Sequence, residues 1–367
     1  MNHRERVQAA LAHEAPDRCP LYTSYTPEFA ARLQADLGQR GTLNITGRPY
    51  NPHGTGNTYE LERAIGQDML LTSVGWANSY DWPDETYIDE WGIGLQRVPY
   101  TTPFGVGHYT EPVVHPLADD QAIDAYVPPD PHRPELYREA ARVLREHQQE
   151  HWIVGGAVTT VFETAEALRG YEQLMTDFLV DPDLADRILD IPFRYHLAAA
   201  EQLTRMGVDM IWLGDDIGMQ TGMLISPATW RRFLKPRLAA IIASLKTINP
   251  SLKVAYHTDG KVWDVLPELV EIGVDVLNPI QPRCLDPVRL KREYGSRLCF
   301  WGSIDEQHTL PFGTPDQVRA EVRARLATLG ASGGLIIGPA QHLQLDTPIE
   351  NFWAMVDTVM STPCRPA

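Results

Sequence analysis

The sequence predicts an α/β protein of the (β/α)8, or TIM-barrel, class. Short apolar runs alternate with helical patterns about eight times along 367 residues. Several of these runs end in polar or charged residues, as strands do at the carboxyl-end mouth of a barrel. An open doubly wound sheet is the alternative, weakened because no strand is followed by a GxGxxG turn. We expect one barrel domain over residues 1–367, with a small antiparallel β insertion after the second strand at about 80–131.

Asn2 to His13 reads as a helix with Val7, Ala10 and Leu11 on one face, ended by Pro16. Cys19 to Ser24 is a short first strand whose end carries Tyr22, Thr23 and Ser24. A helix over about 28–37 and a Gly-, Pro- and Asn-rich loop from Arg40 to Glu60 lead to a second strand, Asp68 to Ser73. Between Trp82 and Pro131 the texture changes. Tyr87, Trp91, Val98 and Tyr100 stand among polar residues, and Gly105 and Gly107 mark a turn, which reads as a hairpin insertion.

From there the strand–helix alternation is plain. A helix from Glu135 to Gln149 precedes the strand Trp152 to Val158. Short helices around Ala165 and from Tyr171 to Leu179, then a long one from Leu184 to Met206, lead to the strand Met210 to Gly214. Ser226 caps a helix with Pro227 in its first position, running to about Ile248. Then come a strand ending at His257, a helix from Val262 to Ile272, and the strand Val276 to Gln281. A helix from Asp286 to Tyr294 and the strand Leu298 to Ser303 follow. Thr314-Pro315 opens a helix to Leu329, Gly334 to Ala340 is the last strand, and Thr347-Pro348 opens the final helix to Val359.

Composition limits the partners. The chain is 43% hydrophobic and 22% charged, as a globular protein is, and its formal net charge of −16 argues against nucleic acid and anionic membrane. No apolar stretch reaches a membrane span, and the first residues lack the apolar core of a signal peptide. Cys19, Cys284, Cys299 and Cys364 are scattered without a CxxC pair, which suits a reducing cytoplasm. We expect a cytoplasmic protein with a small-molecule substrate.

The chemistry is expected at the strand ends. The run Val254-Ala255-Tyr256-His257-Thr258-Asp259-Gly260 ends in a histidine and an aspartate two apart, which share one face of a strand. The third strand leads to Glu163, the fourth to Asp215 and Asp216, the sixth to Asn278 and Gln281, the seventh to Ser303 and Asp305, and the eighth to His342. Each has a plainer explanation: a turn aspartate, a carboxylate suiting a helix start, a histidine anchoring a loop. Adjacent residues of a strand diverge, so one of Asp215 and Asp216 at most points inward. Together, His257, Asp259 and His342, with a carboxylate from Asp215 or Asp216, form an N/O set suited to zinc or another divalent metal. The same groups without metal are a general acid and base.

Several further stretches are informative in their order and spacing. They are Arg4-Glu5-Arg6-Val7, Pro16-Asp17-Arg18-Cys19-Pro20, Gly214-Asp215-Asp216-Ile217-Gly218, Ile225-Ser226-Pro227, Gly273 to Gln281, Phe300 to Asp305, Leu310 to Pro315 and Thr347 to Asn351. Taken together the chain resembles the uroporphyrinogen decarboxylase superfamily, which includes corrinoid- and zinc-dependent methyltransferases. The resemblance runs nearly end to end and implies a (β/α)8 barrel. Decarboxylases of that family grip substrate carboxylates with an arginine-rich motif at the first strand. Here that stretch is Pro20-Leu21-Tyr22-Thr23-Ser24, without arginine.

The methyltransferase branch places His-x-Cys at the end of the fifth strand and a second cysteine near the last. This chain has His257-Thr258-Asp259 and Gln341-His342 instead. The resemblance therefore implies a metal-dependent methyltransferase for a small methoxylated or methylamine-type substrate, with a corrinoid protein as partner and a homodimer as the family precedent. His257, Asp259 and His342 would hold the metal. Asp215, Asp216 and His342 would act in catalysis, and Glu163, Gln281, Ser303, Asp305 and Tyr22 would line the substrate site. A metal-free decarboxylase or lyase and a non-catalytic ligand-binding protein are the alternatives.

Overall fold

The computed structural model describes residues 1–41, 57–74 and 86–364. Most of the loop expected over 40–60 and the start of the insertion near 80 lie outside the described residues. The strands are β1 (Met69–Ser73), β2 (Thr86–Ile88), β3 (Gly94–Thr102), β4 (Gly105–Val114), β5 (Trp152–Val158), β6 (Met210–Gly214), β7 (Lys253–His257), β8 (Val276–Asn278), β9 (Cys299–Ile304) and β10 (Leu335–Pro339). Seven of them form one parallel sheet in the order β1-β5-β6-β7-β8-β9-β10, and β2-β3-β4 form a separate antiparallel sheet. The fold is the barrel class that the strand–helix alternation predicts, with the antiparallel insertion after the second strand position.

The expected first strand is in its place but is not a regular strand. The segment 19–25 runs between β10 and β1. On the β10 side, Tyr22 N–H donates to the Ile337 carbonyl (3.0 Å) and Ile337 N–H to that of Pro20 (2.8 Å). On the β1 side, the Leu21 and Thr23 N–H groups are taken by side chains, Asp68 Oδ2 (2.8 Å) and Gln67 Oε1 (2.9 Å). Side-chain oxygens thus replace the carbonyls of a neighbouring strand, so the ladder is broken while the donors stay satisfied. The close approach also fixes Gly338, where a Cβ would sit 1.8 Å from the Tyr22 carbonyl oxygen.

Asp68 is the anchor of this closure. Fully buried, it accepts from His3 Nδ1 (2.8 Å), Arg6 (2.7 Å), Arg18 (2.6 Å) and the Leu21 N–H (2.8 Å). The N-terminal helix His3–Leu11, capped by a reciprocal Asn2–Glu5 pair, thereby seals one end of the barrel. Its Val7 and Leu11 join Met69, Val154, Met210, Ala255, Val276 and Ile336 in the barrel interior. Trp212 and Trp301 fill the same interior, and Cys299 is buried there, its thiol pushed up to about 12 by burial. The remaining buried apolar residues lie between the sheet and the outer helices.

Cap signals in the sequence are realised. Ser226 accepts from Thr229 N–H with Pro227 leading the helix, and Thr314 and Gln317 form a reciprocal cap. Three expected elements differ. The helix after Ser226 breaks at Leu234 into Pro227–Phe233 and Lys235–Ile248, since Pro236 cannot donate its share of the ladder. The expected strand Val276 to Gln281 stops at Asn278, before Pro279. The helix expected over Val262 to Ile272 is a single 3-10 turn and a six-residue α-helix.

If Asp68 holds the closure, Asp68→Ala leaves Arg6 and Arg18 without their shared carboxylate. We expect a loss of about 3–5 kcal/mol, as for other buried pairs broken on one side, read as a lowered urea midpoint; an unchanged midpoint would remove the anchor role.

Candidate metal and substrate site

The carboxyl ends of β6 and β7 bring Asp216, His257 and Asp259 together. One ligand atom from each lies within 4.8 Å of the others, the only such three-residue group among the described residues. Backbone contacts between two turns set this spacing. Asp259 N–H donates to Asp216 Oδ1 (2.7 Å). Gly260, at φ +85°, and Gly218 let the turns touch: a Cβ on Gly260 would sit 2.4 Å from the Gly218 carbonyl carbon, and one on Gly218 2.5 Å from the Asp259 oxygen.

The protonation of His257 follows from its neighbour Asn278. Trp212 Nε1 donates to Asn278 Oδ1 (3.1 Å), and the indole nitrogen can only donate. That atom is therefore the amide oxygen, and His257 Nδ1, 2.7 Å from it, is the protonated nitrogen. Nε2 faces Asp216 Oδ1 at 3.6 Å and in the neutral ring carries the lone pair. A ring fixed through Nδ1, with Nε2 turned to neighbouring carboxylates, is the arrangement of a metal-ligating histidine.

Asp259 is held on one side only. Its Oδ2 accepts from Gln341 Nε2 (3.1 Å), whereas Oδ1 is buried without a hydrogen-bond partner. Burial pushes its carboxyl up to about 6, opposed by His257 and reinforced by Asp216. A buried carboxylate oxygen with no donor, beside an imidazole lone pair and a second carboxylate, fits a divalent cation.

Asp215 faces the other way, as alternation along a strand requires. It is buried and accepts from the N–H groups of Val161 (3.0 Å) and Glu163 (3.1 Å), so it shapes the loop after β5. Burial pushes its carboxyl up to about 7 despite those donors. Glu163 Oε2 accepts from the Asp216 N–H (3.1 Å). Burial first, then the charges of Asp216 and Asp215, hold the Glu163 carboxyl well above its ordinary range.

The other expected residues are placed differently. His342 is outside the three-residue group; its neighbour Gln341 reaches Asp259 instead, while the Gln341 Oε1 accepts from the His342 N–H (3.0 Å). Gln281 accepts from the Gly260 N–H (2.7 Å) and so supports the Asp259 turn. Asp305 caps its own turn through the N–H groups of Gln307 and His308 and pairs with Arg283. Ser303 is fully buried at φ 91°, with no partner for its hydroxyl. Tyr22 lies in the barrel interior with its ring edge-on to Trp301, centroids 4.7 Å apart.

A cavity of about 320 Å³ opens beside the cluster, with Glu163 and Trp212 in its wall. One side is barrel mouth, with Ser73, Gly156, Ala157 and Thr159; the other is the inserted sheet, with Trp91, Ile93, Leu95 and Pro112. Glu166 lies in the same wall and had a signal in sequence, being one helical turn beyond Glu163. Trp91 and His196 had none: they reach the cavity from the insertion and from the middle of the long helix Pro182–Met206.

Among the described residues no helix is long and apolar enough to cross a membrane. Comparison with known proteins places the chain. It is 27% identical over 219 residues to the methylcobamide:CoM methyltransferase MtaA of Methanosarcina barkeri, covering 59% of this chain and 61% of that protein. It is 28% identical to uroporphyrinogen decarboxylase of Burkholderia pseudomallei over 181 residues, 48% of this chain and 47% of that one. The chain thus spans about three fifths or less of the length of these curated relatives. A methyltransferase from Methanosarcina mazei has the same fold over 98% of both chains, with a TM-score of 0.68 and 20% identity. The uroporphyrinogen decarboxylase (URO-D) family model matches residues 101–362, more than half of the sequence, and the chain belongs to that family.

Proposed function

We propose that this protein is a divalent-metal-dependent methyltransferase that moves a methyl group between a small methoxylated or methylamine-type molecule and a corrinoid carried by a partner protein. The observation that carries this reading is the unpartnered Oδ1 of Asp259, set among the Asp216 and His257 ligand atoms beside the cavity that Glu163 and Trp212 line. The names of the Methanosarcina relatives support the reaction class.

Asp216, His257 and Asp259 would hold the ion. Such an ion supplies Lewis acidity at the heteroatom that bears the methyl group. With two carboxylates and one imidazole, and no thiolate, the donor set suits an oxygen or nitrogen heteroatom better than activation of a thiol. A reduced corrinoid on the partner would supply the electron pair that takes the methyl group, and the heteroatom would keep the pair of the broken carbon–heteroatom bond. Glu163, whose carboxyl burial and the neighbouring aspartates hold well above its ordinary range, faces the cavity where a departing alkoxide would need a proton. Asn278 holds the His257 ring, and Asp215 holds the loop that presents Glu163.

A metal-free lyase has one supporting observation, the raised carboxyls of Asp215 and Glu163, which could donate protons. A polycarboxylate substrate is disfavoured, because no arginine or lysine lines the cavity among the described residues. Chelation decides between them: full activity after exhaustive removal of metal supports the lyase.

Two outcomes test the metal reading. Protein purified without an affinity tag should contain about one divalent ion per chain by mass spectrometric metal analysis; His257→Ala should reduce this at least tenfold, and His342→Ala should leave it in place. Retention by His257→Ala would sink the assignment. Proton competition gives the second. Since Asp259 must be ionised to bind, metal affinity should begin to fall as pH drops below about 6, and Asp259→Asn should remove that dependence along with most of the binding. The metal-free fold shows the opposite trend. Its Asp259 and Asp215 keep protons that the unfolded chain has already lost, so its Tm should fall as pH climbs from about 4 to 7.

A further inference from the structure

The cavity is lined by Glu163, Glu166 and Asp89 together with Trp91, Tyr195 and Trp212, and by no lysine or arginine among the described residues. Glu163 and Glu166, three residues apart on the helix Phe162–Arg169, share one of its faces. Asp89 spends Oδ1 on the N–H groups of Trp91 and Ile93, which shapes the turn between β2 and β3 at the cavity wall.

A second observation is independent of the acids. His196 lines the same cavity, is 7% exposed, and has both ring nitrogens buried without a hydrogen-bond partner. Its ring lies nearly parallel to Trp91 (centroids 6.1 Å apart, 12°). Burial pushes its pKa down to about 3, so it stands neutral, with a lone pair available to accept. The cavity wall therefore offers carboxylates, aromatic rings and an imidazole acceptor, with no lysine or arginine among the described lining residues to satisfy them.

We propose that this cavity binds a small N-methylated ammonium cation, tertiary or quaternary, in preference to a neutral methyl ether or an anion. The fit is in the three kinds of wall. Carboxylates supply the countercharge, aromatic rings suit an N-methyl cation by cation–π attraction, and His196 accepts the N–H of a tertiary ammonium. A cation also offsets the cost of ionising Glu166 and Asp89, whose carboxyls burial holds above their ordinary range. The proposal rests on the methyl-transfer reading only for the fate of the methyl group. An ammonium nitrogen has no lone pair for the ion, and its positive charge already activates it as a leaving group. The C–N bond would therefore break with the pair retained by a neutral amine and without Lewis-acid help at nitrogen.

Calorimetric titration of the protein as isolated tests it without turnover, using tetramethylammonium and anisole as probes. We expect the cation to bind at least tenfold more tightly than anisole. Glu166→Gln should weaken the cation about tenfold and leave anisole unchanged. Leu95→Lys, which puts an ammonium on a partly exposed position of the wall, should abolish cation binding alone. Tighter binding of anisole, or cation binding indifferent to both substitutions, overturns the proposal. Its failure is separable from that of the catalytic reading. Cation binding without methyl transfer to cob(I)alamin sinks only the enzyme assignment, and methyl transfer from anisole alone sinks only the substrate class.

Discussion

One buried carboxylate closes the barrel. Asp68 receives His3, Arg6, Arg18 and a backbone N–H, and so joins the N-terminal helix, the segment 19–25 and β1 in one network. Nearby cations hold the Asp68 carboxyl below the ordinary range despite its burial. Only in a closed barrel does the turn after β10 come round to β7, and the contact between Gln341 and Asp259 depends on that return. The Gln341 contact that holds Asp259 at one end thus depends on the closure that Asp68 anchors at the other.

At the mouth, position is decided by polar groups that each serve two neighbours. Asn278 Oδ1 receives both Trp212 and His257, so a barrel-packing indole fixes the tautomer of the candidate ligand. Asp216 Oδ1 receives the Asp259 N–H while facing the His257 lone pair. Asp215, one residue earlier, turns away to shape the loop of Glu163. The sequence Asp215-Asp216 therefore splits into a positioning residue and a candidate ligand, which is what the two faces of a strand impose.

How far this was legible in the sequence follows from the same geometry. The seven strands, the caps at Ser226 and Thr314, and the approach of His257 to an aspartate were readable, because hydrophobic period and turn chemistry are local. The pairing of Leu21 and Thr23 with side chains was not, since nothing in residues 19–25 announces that Asp68 and Gln67 will stand in for a strand. Gln281 and Asp305 resemble site residues in sequence, yet they accept from turn N–H groups. A barrel mouth needs acceptors for its own loops, and those are the same residue types that chemistry uses. His342 illustrates the phase problem: alternation fixes a face only while the strand lasts, and β10 ends at Pro339. Two residues on, Gln341 points to Asp259 and the histidine does not join the group.

The two ends of the barrel treat buried acid in opposite ways, and the contrast bears on function. Asp68 has more positive partners than it needs, and its charge supports the fold. Glu163, Asp215, Asp216 and Asp259 crowd together with one imidazole, and three of these four carboxyls are raised by burial or by one another. A fold optimised for stability alone would place a cation there, as it does below. Keeping acids unpaired around a cavity without lysine or arginine leaves the positive charge to be supplied from outside, by an ion at Asp216, His257 and Asp259 and by a cationic molecule beside it. The charge deficit at the mouth is thus a binding preference held in the folded chain itself.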